Sequence, residues 1–314
     1  MSGSPARVAV IGTGVIGAGW AALFLARGLE VVAFDPEPDA PERLRRAVDD
    51  AWPVLTRLGL DEAADRSRLR FAGSIGDAVS EADFVQESGP EDVTLKQSLF
   101  AELDAATPAA VPIASSSSGF TPSRLQEMCR VAPQRVLVGH PFNPAYLIPL
   151  VEVVPSPDSD PAAVRTCMDF YRQMGKRPVL VRREVPGHLA NRLQAALWRE
   201  AYSLVERGVA SVADIDTAIA YGPGLRWALL GPLANQHLSG GAGGLAHTLA
   251  HLGPPTQAWM DDLGDARLTP ELTRLLVDGV DEELRGTDQS RLVAARDELL
   301  VLLLQEKARH TVLP

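Results

Sequence analysis

Along the first half of the chain, short apolar runs alternate with longer stretches whose apolar positions recur every three or four residues. VAVI at 8–11 and Glu30 to Phe34 read as strands, and Pro41 to Leu58 as a helix with Leu44, Val48, Ala51 and Leu55 on one face. The alternation continues through a strand near Leu69 to Ala72, a helix at Ile75 to Val79, a strand at Phe84 to Gln86 and a helix at Leu95 to Leu103. A strand at Val111 to Ala114, a helix at Pro122 to Cys129 and a strand at Arg135 to Val138 complete it. This pattern predicts a doubly wound α/β fold, whose ligands collect beyond the carboxyl ends of the strands. Two further strands follow, Leu150 to Val154 and Val179 to Val181, and Pro186-Gly187 closes the second. From His188 onward only helical periodicity is convincing: His188 to Glu206, Val212 to Ala220, Pro270 to Leu284 capped by Thr269, and Leu292 to Arg309. The expected organisation is an α/β domain over 1–186 and an all-helical domain over 187–314.

The stretch VAVIGTGVIGAGWAALFLA at 8–26 is nineteen residues without a charge, near the length of a membrane helix. The glycines at 12, 14, 17 and 19 break it instead into a strand, a turn and the start of a helix. The turn is Gly12-Thr13-Gly14-Val15-Ile16-Gly17, a GxGxxG. Alone the pattern is weak, but it lies between a strand and a helix, and a second strand ends in Asp35, eighteen residues after Gly17. Glycine lets the backbone approach a pyrophosphate, whose charge rests on the N–H groups that open the helix. Asp35 would accept hydrogen bonds from ribose hydroxyls. Glu37 and Asp39 after it add negative charge and no arginine, which favours NAD over NADP. A glycine-rich turn beside a solvated aspartate is the plainer alternative.

In PIASSSSGFTP at 112–122, four serines and a glycine have the composition of a flexible linker. An apolar strand precedes them, however, and Thr121-Pro122 has the form of a helix cap followed by proline at the first helical position. His140 lies immediately after the strand at Arg135 to Val138, in GHPFNP. Glu152 is the one carboxylate of LVEVV, costly to bury without a partner and harmless on an edge strand facing water.

A length of 314 residues favours two domains, and 46% apolar with 22% charged residues is ordinary for a globular protein. A formal charge of −10 and a pI near 5.1 argue against nucleic acid or an anionic membrane as partner. Cys129 and Cys167 have no metal or disulfide spacing, which points to a reducing, cytoplasmic setting, and MSGSPAR lacks the order of a signal peptide. His247 and His251 are spaced i and i+4 without an evident third ligand, so no metal is expected. His188, His237 and His310 read as helix-surface or loop residues, and GGAGG at 240–244 as a break between helices.

In order, GTGVIGAGW, ESGPED with Lys96, SSSSG, GHPFNP, LVEVV and PGHLANRL resemble the 3-hydroxyacyl-CoA dehydrogenase family over about residues 7 to 260. GPGLRWALLGPLANQHLSGGAGG resembles its branch acting on free hydroxy acids. The resemblance implies a Rossmann-type NAD domain, with Gly12, Gly14, Val15, Ile16, Gly17, Asp35, Glu87 and Lys96 around the cofactor. It implies oxidation of the secondary hydroxyl of a small L-3-hydroxy acid, carnitine-like or gulonate-like, to the keto acid. In that scheme His140 is the general base, Glu152 its partner, Ser118 the contact to the reacting oxygen and Asn191 a second donor.

Arg226 in GLRW, beside Trp227, is the candidate for the substrate carboxylate, and Trp227 or Trp259 for a quaternary ammonium. A homodimer through the helical domain is also implied. The run from Leu299 to Leu304 fits it, because six consecutive apolar residues cover more than one side of a helix. The chain departs from the branch at Ala234, Asn235, Gln236 and His237, where an aromatic and charged run is usual, so the acid stays open. An acyl-CoA substrate is the alternative; relatives that use it carry a lysine-rich segment after the second strand, and residues 36 to 72 here contain no lysine. A non-catalytic NAD-binding or structural protein would have no use for Ser118, His140, Glu152 and Asn191 together.

Overall fold

The apolar runs pair into one eight-stranded sheet. Its strands are β1 (Arg7–Ile11), β2 (Glu30–Phe34), β3 (Leu69–Phe71), β4 (Phe84–Glu87), β5 (Ile113–Ser115), β6 (Val136–Pro141), β7 (Leu150–Val154) and β8 (Arg177–Leu180). The order is β3-β2-β1-β4-β5-β6-β7-β8, parallel throughout except for the antiparallel pair β6–β7. This computed structural model describes residues 6–310, 312 and 313; the MSGSP that opens the segment read against a signal peptide lies outside them. The chain divides into two compact units, Met1–Arg192 and Leu193–Pro314.

In the first unit, helices α1 (Val15–Ala26), α2 (Ala40–Leu58), α3 (Ile75–Val79), α4 (Val93–Ala106), α5 (Pro122–Leu125) and α6 (Pro161–Gln173) cover the sheet. One face carries a core of Trp20, Phe24, Leu44, Phe84, Phe170 and Tyr171; the other holds Ile75, Phe100, Leu103, Ile113 and Leu125. β1 is buried on both faces, as central parallel strands are, which is why it reads as an unbroken apolar run. α1 is apolar all round because it is buried from Gly17 to Ala26, so the long uncharged stretch is core and not a membrane span. Among the described residues, no helix is long and apolar enough to cross a membrane. The four positions expected to face inward from α2 (Leu44, Val48, Ala51, Leu55) are all buried.

Of the boundaries that differ, three lie near the strand ends and the start of the helical unit. The helix expected at Pro122–Cys129 is regular only to Leu125. β6 runs on to Pro141 because β7 pairs antiparallel with it and extends the ladder past His140. The helix expected from His188 begins at Ala190, since Gly187 (φ 74) and His188 (φ 50) are left-handed. That helix, α7 (Ala190–Glu206), continues into the second unit. There α8 (Val212–Ala220), α9 (Pro223–Leu230), α10 (Pro232–Ser239), α11 (Gly244–Asp262), α12 (Pro270–Glu283) and α13 (Gln289–Arg309) follow, with the glycines at 240–244 forming the break between α10 and α11.

Candidate active site

The glycine turn sits between β1 and α1, and at Gly12 and Gly17 its geometry admits little but glycine. Gly12 has φ 86, and a Cβ there would lie 2.7 Å from the Ser88 carbonyl carbon; one on Gly17 would lie 1.9 Å from the Gly12 oxygen. No side chain caps α1 at Gly14, so its first N–H groups are left for an external acceptor. Asp35, just past β2, holds the turn: Oδ2 accepts from the Thr13 N–H (2.7 Å) and hydroxyl (3.0 Å), and Oδ1 from the Glu37 N–H (3.1 Å). Lone pairs remain for ribose hydroxyls. A cavity of about 710 Å³ opens here, lined by Gly12, Gly14, Asp35, Ile75, Ser88 and Leu99 among others. These residues could hold NAD, its pyrophosphate at the uncapped helix end and its adenosine ribose at Asp35. Arg43 pairs with Asp39 and also lines this cavity. Val15 is exposed at the first position of α1, while Ile16 packs on the core.

Glu87 and Lys96, expected beside the cofactor, lie beneath the loop that lines its cavity. Lys96 Nζ donates to Glu87 Oε1 and Oε2 (2.7 and 3.0 Å) and to the Gly89 carbonyl (3.2 Å), and both side chains are fully buried. Glu87 also accepts from the Gly89 N–H (2.6 Å) and the Ser115 hydroxyl (2.5 Å). The pair thus shapes Ser88 to Pro90 from below.

The serine tract is ordered at every position. The Ser116 hydroxyl accepts from Trp20 Nε1 and Gln86 Nε2 and meets Ser88 Oγ at 2.9 Å. Ser117 donates to Glu91 Oε1 (2.7 Å) and accepts from the Phe120 N–H. The same Glu91 oxygen accepts from the Ser118 and Gly119 N–H groups at 3.0 and 3.1 Å. Ser118 alone of the four is exposed, three residues past β5, and its hydroxyl donates to that same Glu91 oxygen at 3.4 Å.

His140 and Glu152 are opposite one another in the β6–β7 ladder, and Nδ1 lies 2.9 Å from Glu152 Oε2. Glu152 is fully buried on a strand flanked on both sides, which excludes the exposed-edge alternative. Its other oxygen accepts from the Leu189 and Ala190 N–H groups at 2.8 and 2.9 Å, at the start of α7. Burial alone would raise this carboxyl. The hydrogen bonds from His140, Ala190 and Leu189, with the imidazole charge, outweigh it and hold the group below the usual carboxylate range. Asn191 Nδ2 donates to the Ser118 carbonyl at 3.1 Å. Contacts therefore run without interruption from His140 through Glu152 and the start of α7 to Asn191 and Ser118.

His188, expected on a helix surface or in a loop, lies in the turn before α7 but not at the surface. The ring is fully buried, Nε2 lies 3.1 Å from the Ser117 carbonyl, and its centroid is 5.4 Å from that of His140. Sequence reasoning passed over both His188 and Glu91, although both stand inside motifs it had singled out, PGHLANRL and ESGPED. Arg226 and Trp227 lie on α9 of the second unit, and Arg226 makes no ion pair among the described residues. Among those residues, no cluster of three His, Cys, Asp or Glu is placed to hold a metal.

Residues 7–185 match the family described as 3-hydroxyacyl-CoA dehydrogenase, NAD binding domain, and residues 187–275 match its C-terminal domain. The chain is 51% identical over 303 residues to the L-carnitine dehydrogenase of Streptomyces coelicolor, covering 96% of this chain and 95% of the relative. It is 44% identical over 306 residues to a 3-hydroxyacyl-CoA dehydrogenase of Gibberella moniliformis, covering 96% and 95%. Among solved structures, a 5-formyl-3-hydroxy-2-methylpyridine 4-carboxylic acid 5-dehydrogenase, an NAD+-dependent dismutase, superposes with a TM-score of 0.84. It shares 32% identity, with 96% of this chain and 98% of that one covered.

Proposed function

Because the chain belongs to the 3-hydroxyacyl-CoA dehydrogenase family, we propose that it oxidises the 3-hydroxyl of a free hydroxy acid of the carnitine type, with His140 as general base. It is an NAD-dependent oxidoreductase of that family. The observation that carries the mechanism is the buried His140–Glu152 couple. Glu152 engages Nδ1, which leaves Nε2 as the nitrogen that takes the hydroxyl proton. The carboxylate fixes the tautomer and stabilises the imidazolium that forms. Two backbone N–H groups on its other oxygen keep it ionised and in place. The Ser118 hydroxyl and the remaining Asn191 N–H steady the substrate oxygen as negative charge develops. Bound NAD supplies the hydride acceptor.

The relatives named L-carnitine dehydrogenase and the absence of lysine from residues 36–72 support a free acid. Arg226 is assigned to its carboxylate, a two-pronged contact that a lysine does not reproduce, and Trp227 or Trp259 to its ammonium. The relative named 3-hydroxyacyl-CoA dehydrogenase supports a second reading, an acyl-CoA substrate. The buried free thiols Cys129 and Cys167 support a reducing, cytoplasmic setting. The apolar surface of α13 supports a homodimer through the second unit. The test is NADH formation from L-carnitine, L-gulonate, 3-hydroxybutyrate and 3-hydroxybutyryl-CoA. Carnitine is expected to be the preferred substrate, and preference for the thioester over every free acid would overturn the reading.

A further inference from the structure

The two peptide groups that flank the Ser118 Cα are each held at both polar ends. In the first, the Ser118 N–H donates to Glu91 Oε1 (3.0 Å) and the Ser117 carbonyl accepts from His188 Nε2 (3.1 Å). The second repeats the arrangement: the Gly119 N–H donates to the same Glu91 oxygen (3.1 Å), and the Ser118 carbonyl accepts from Asn191 Nδ2 (3.1 Å). One carboxylate faces both N–H groups, and residues 188 to 191 face both carbonyls. Rotating the Ser118 side chain away from its present direction through the backbone would break a bond at each corner.

His188 occupies its corner against local preference. Its backbone is left-handed at φ 50, where side chains are disfavoured, and it is the only such non-glycine among the described residues. The ring is fully buried, and its Nδ1 has no hydrogen-bond partner among the described residues. A carbonyl partner requires the proton on Nε2, so the neutral ring keeps its lone pair on that unpartnered Nδ1. Burial, foremost, favours this neutral form. A glycine would relieve the backbone and an apolar side chain would remove the orphaned acceptor. What neither supplies is the N–H directed at the Ser117 carbonyl.

We propose that His188 is a positioning residue of the dehydrogenase site: its Nε2–H holds the Ser117–Ser118 peptide and so aims the Ser118 hydroxyl. The inference rests on the reading in which Ser118 steadies the reacting oxygen and His140 takes its proton. His188 acts through Ser118 and takes no proton from substrate.

The experiment compares His188→Phe, which keeps a buried planar ring without the N–H, with His188→Gln, which returns an amide N–H at similar reach. Each is made in the wild-type enzyme and in Ser118→Ala, with the hydroxy acid that the wild type oxidises best. His188→Phe is expected to lower kcat on the order of 10-fold or more while KM for NAD moves by less than about twofold. His188→Gln recovers to within about threefold of wild type, and in Ser118→Ala neither substitution changes kcat beyond about twofold. If His188→Phe does not fold, His188→Gln decides: native NAD affinity with a loss of about 10-fold in kcat overturns the proposal. So does a folded His188→Phe with wild-type turnover, or an equal loss with and without Ser118. Wild-type turnover in Ser118→Ala or in His140→Gln would instead sink the parent mechanism, which keeps the two failures apart.

Discussion

The two units treat apolar surface in opposite ways. In Met1–Arg192 the sheet is covered on both faces and its large side chains, Trp20, Phe24, Phe84, Phe100, Phe170 and Tyr171, are fully buried. In Leu193–Pro314 the buried hydrophobic side chains among the described residues are Val205, Leu272 and Val301, while Trp198, Val277, Leu299 and Leu302 stand exposed. Buried charge follows the same division: Lys96–Glu87, Arg135–Asp104 and His140–Glu152 all lie in the first unit, and among the described residues the second unit's ion pairs are at the surface, except that Asp297, paired with Arg296, is half-buried. A finished core can hold charged groups in fixed geometry, which is what acid–base chemistry needs. A helical layer with so much apolar surface left over is suited to association.

The largest effect should come from breaking a charge pair in the first unit and finding no counterpart in the second. Lys96→Met leaves Glu87 buried and uncompensated, which costs about 3–5 kcal/mol. Arg309→Ala, which removes the surface pair with Glu306, should change stability by less than about 1 kcal/mol. Urea titrations of both variants test the contrast, and equal midpoints would dissolve it. Next in size is the chemistry. His140→Gln should lower turnover on the order of 10²-fold or more, about 2.7 kcal/mol, with sedimentation unchanged. Near-native turnover with any good substrate would remove the base from the mechanism.

The second unit offers the reverse experiment. Leu292, Leu299 and Leu302 are exposed on α13 although Val301 is buried, so one run of six apolar residues has both an inward and an outward side. Leu302→Glu should weaken self-association by about 2 kcal/mol, the scale of burying one leucine, while NAD affinity stays native. Light scattering at micromolar concentration reads the first effect. A wild-type monomer there would mean that this face is left for something other than a second copy.

How much of this was legible in the chain depended on whether the cause was local. Strands β1 and β2 and the face of α2 announce themselves because period and burial coincide over many residues. α6 went unread although it had a signal: Asp160 precedes Pro161 and caps the Ala162 N–H, and Ala163, Cys167, Phe170 and Tyr171 recur at helical spacing and are buried. The site residues stood out as residue types in order, since imidazole, carboxylate, hydroxyl and amide each have a chemical use. Only the flanking strand and the Thr121-Pro122 cap kept the tract of four serines from reading as a linker, because composition does not record Gln86, Glu87 and Glu91, some 26 to 30 residues upstream, which bind them. His188 is the same case over 71 residues, where only the folded chain brings ring and carbonyl together.

The smallest effect is the dependence of one such pair on pH, not the cost of breaking it, and it sharpens the comparison of the units from the side of charge. Asp104 on α4 is fully buried. Its oxygens accept from the Arg130, Val131 and Ala132 N–H groups at 2.8, 2.7 and 2.9 Å and from Arg135 at 3.2 Å. Burial alone would raise this carboxyl; the three N–H bonds and the guanidinium outweigh it and hold it below the ordinary range. In the second unit Asp214 is also lowered, but by Ser211 at an exposed helix cap, where the energy at stake is small. Because the folded state holds Asp104 low, the unfolded chain binds the proton first as pH falls through about 4. The stabilisation is therefore complete above that value and is lost below it. Asp104→Asn removes the charge, so the gap in urea midpoint between wild type and variant should be widest near neutrality and narrow in acid. A gap of constant size down to about pH 3 would mean that Asp104 contributes by shape alone, and that ionised buried groups do not set the two units apart.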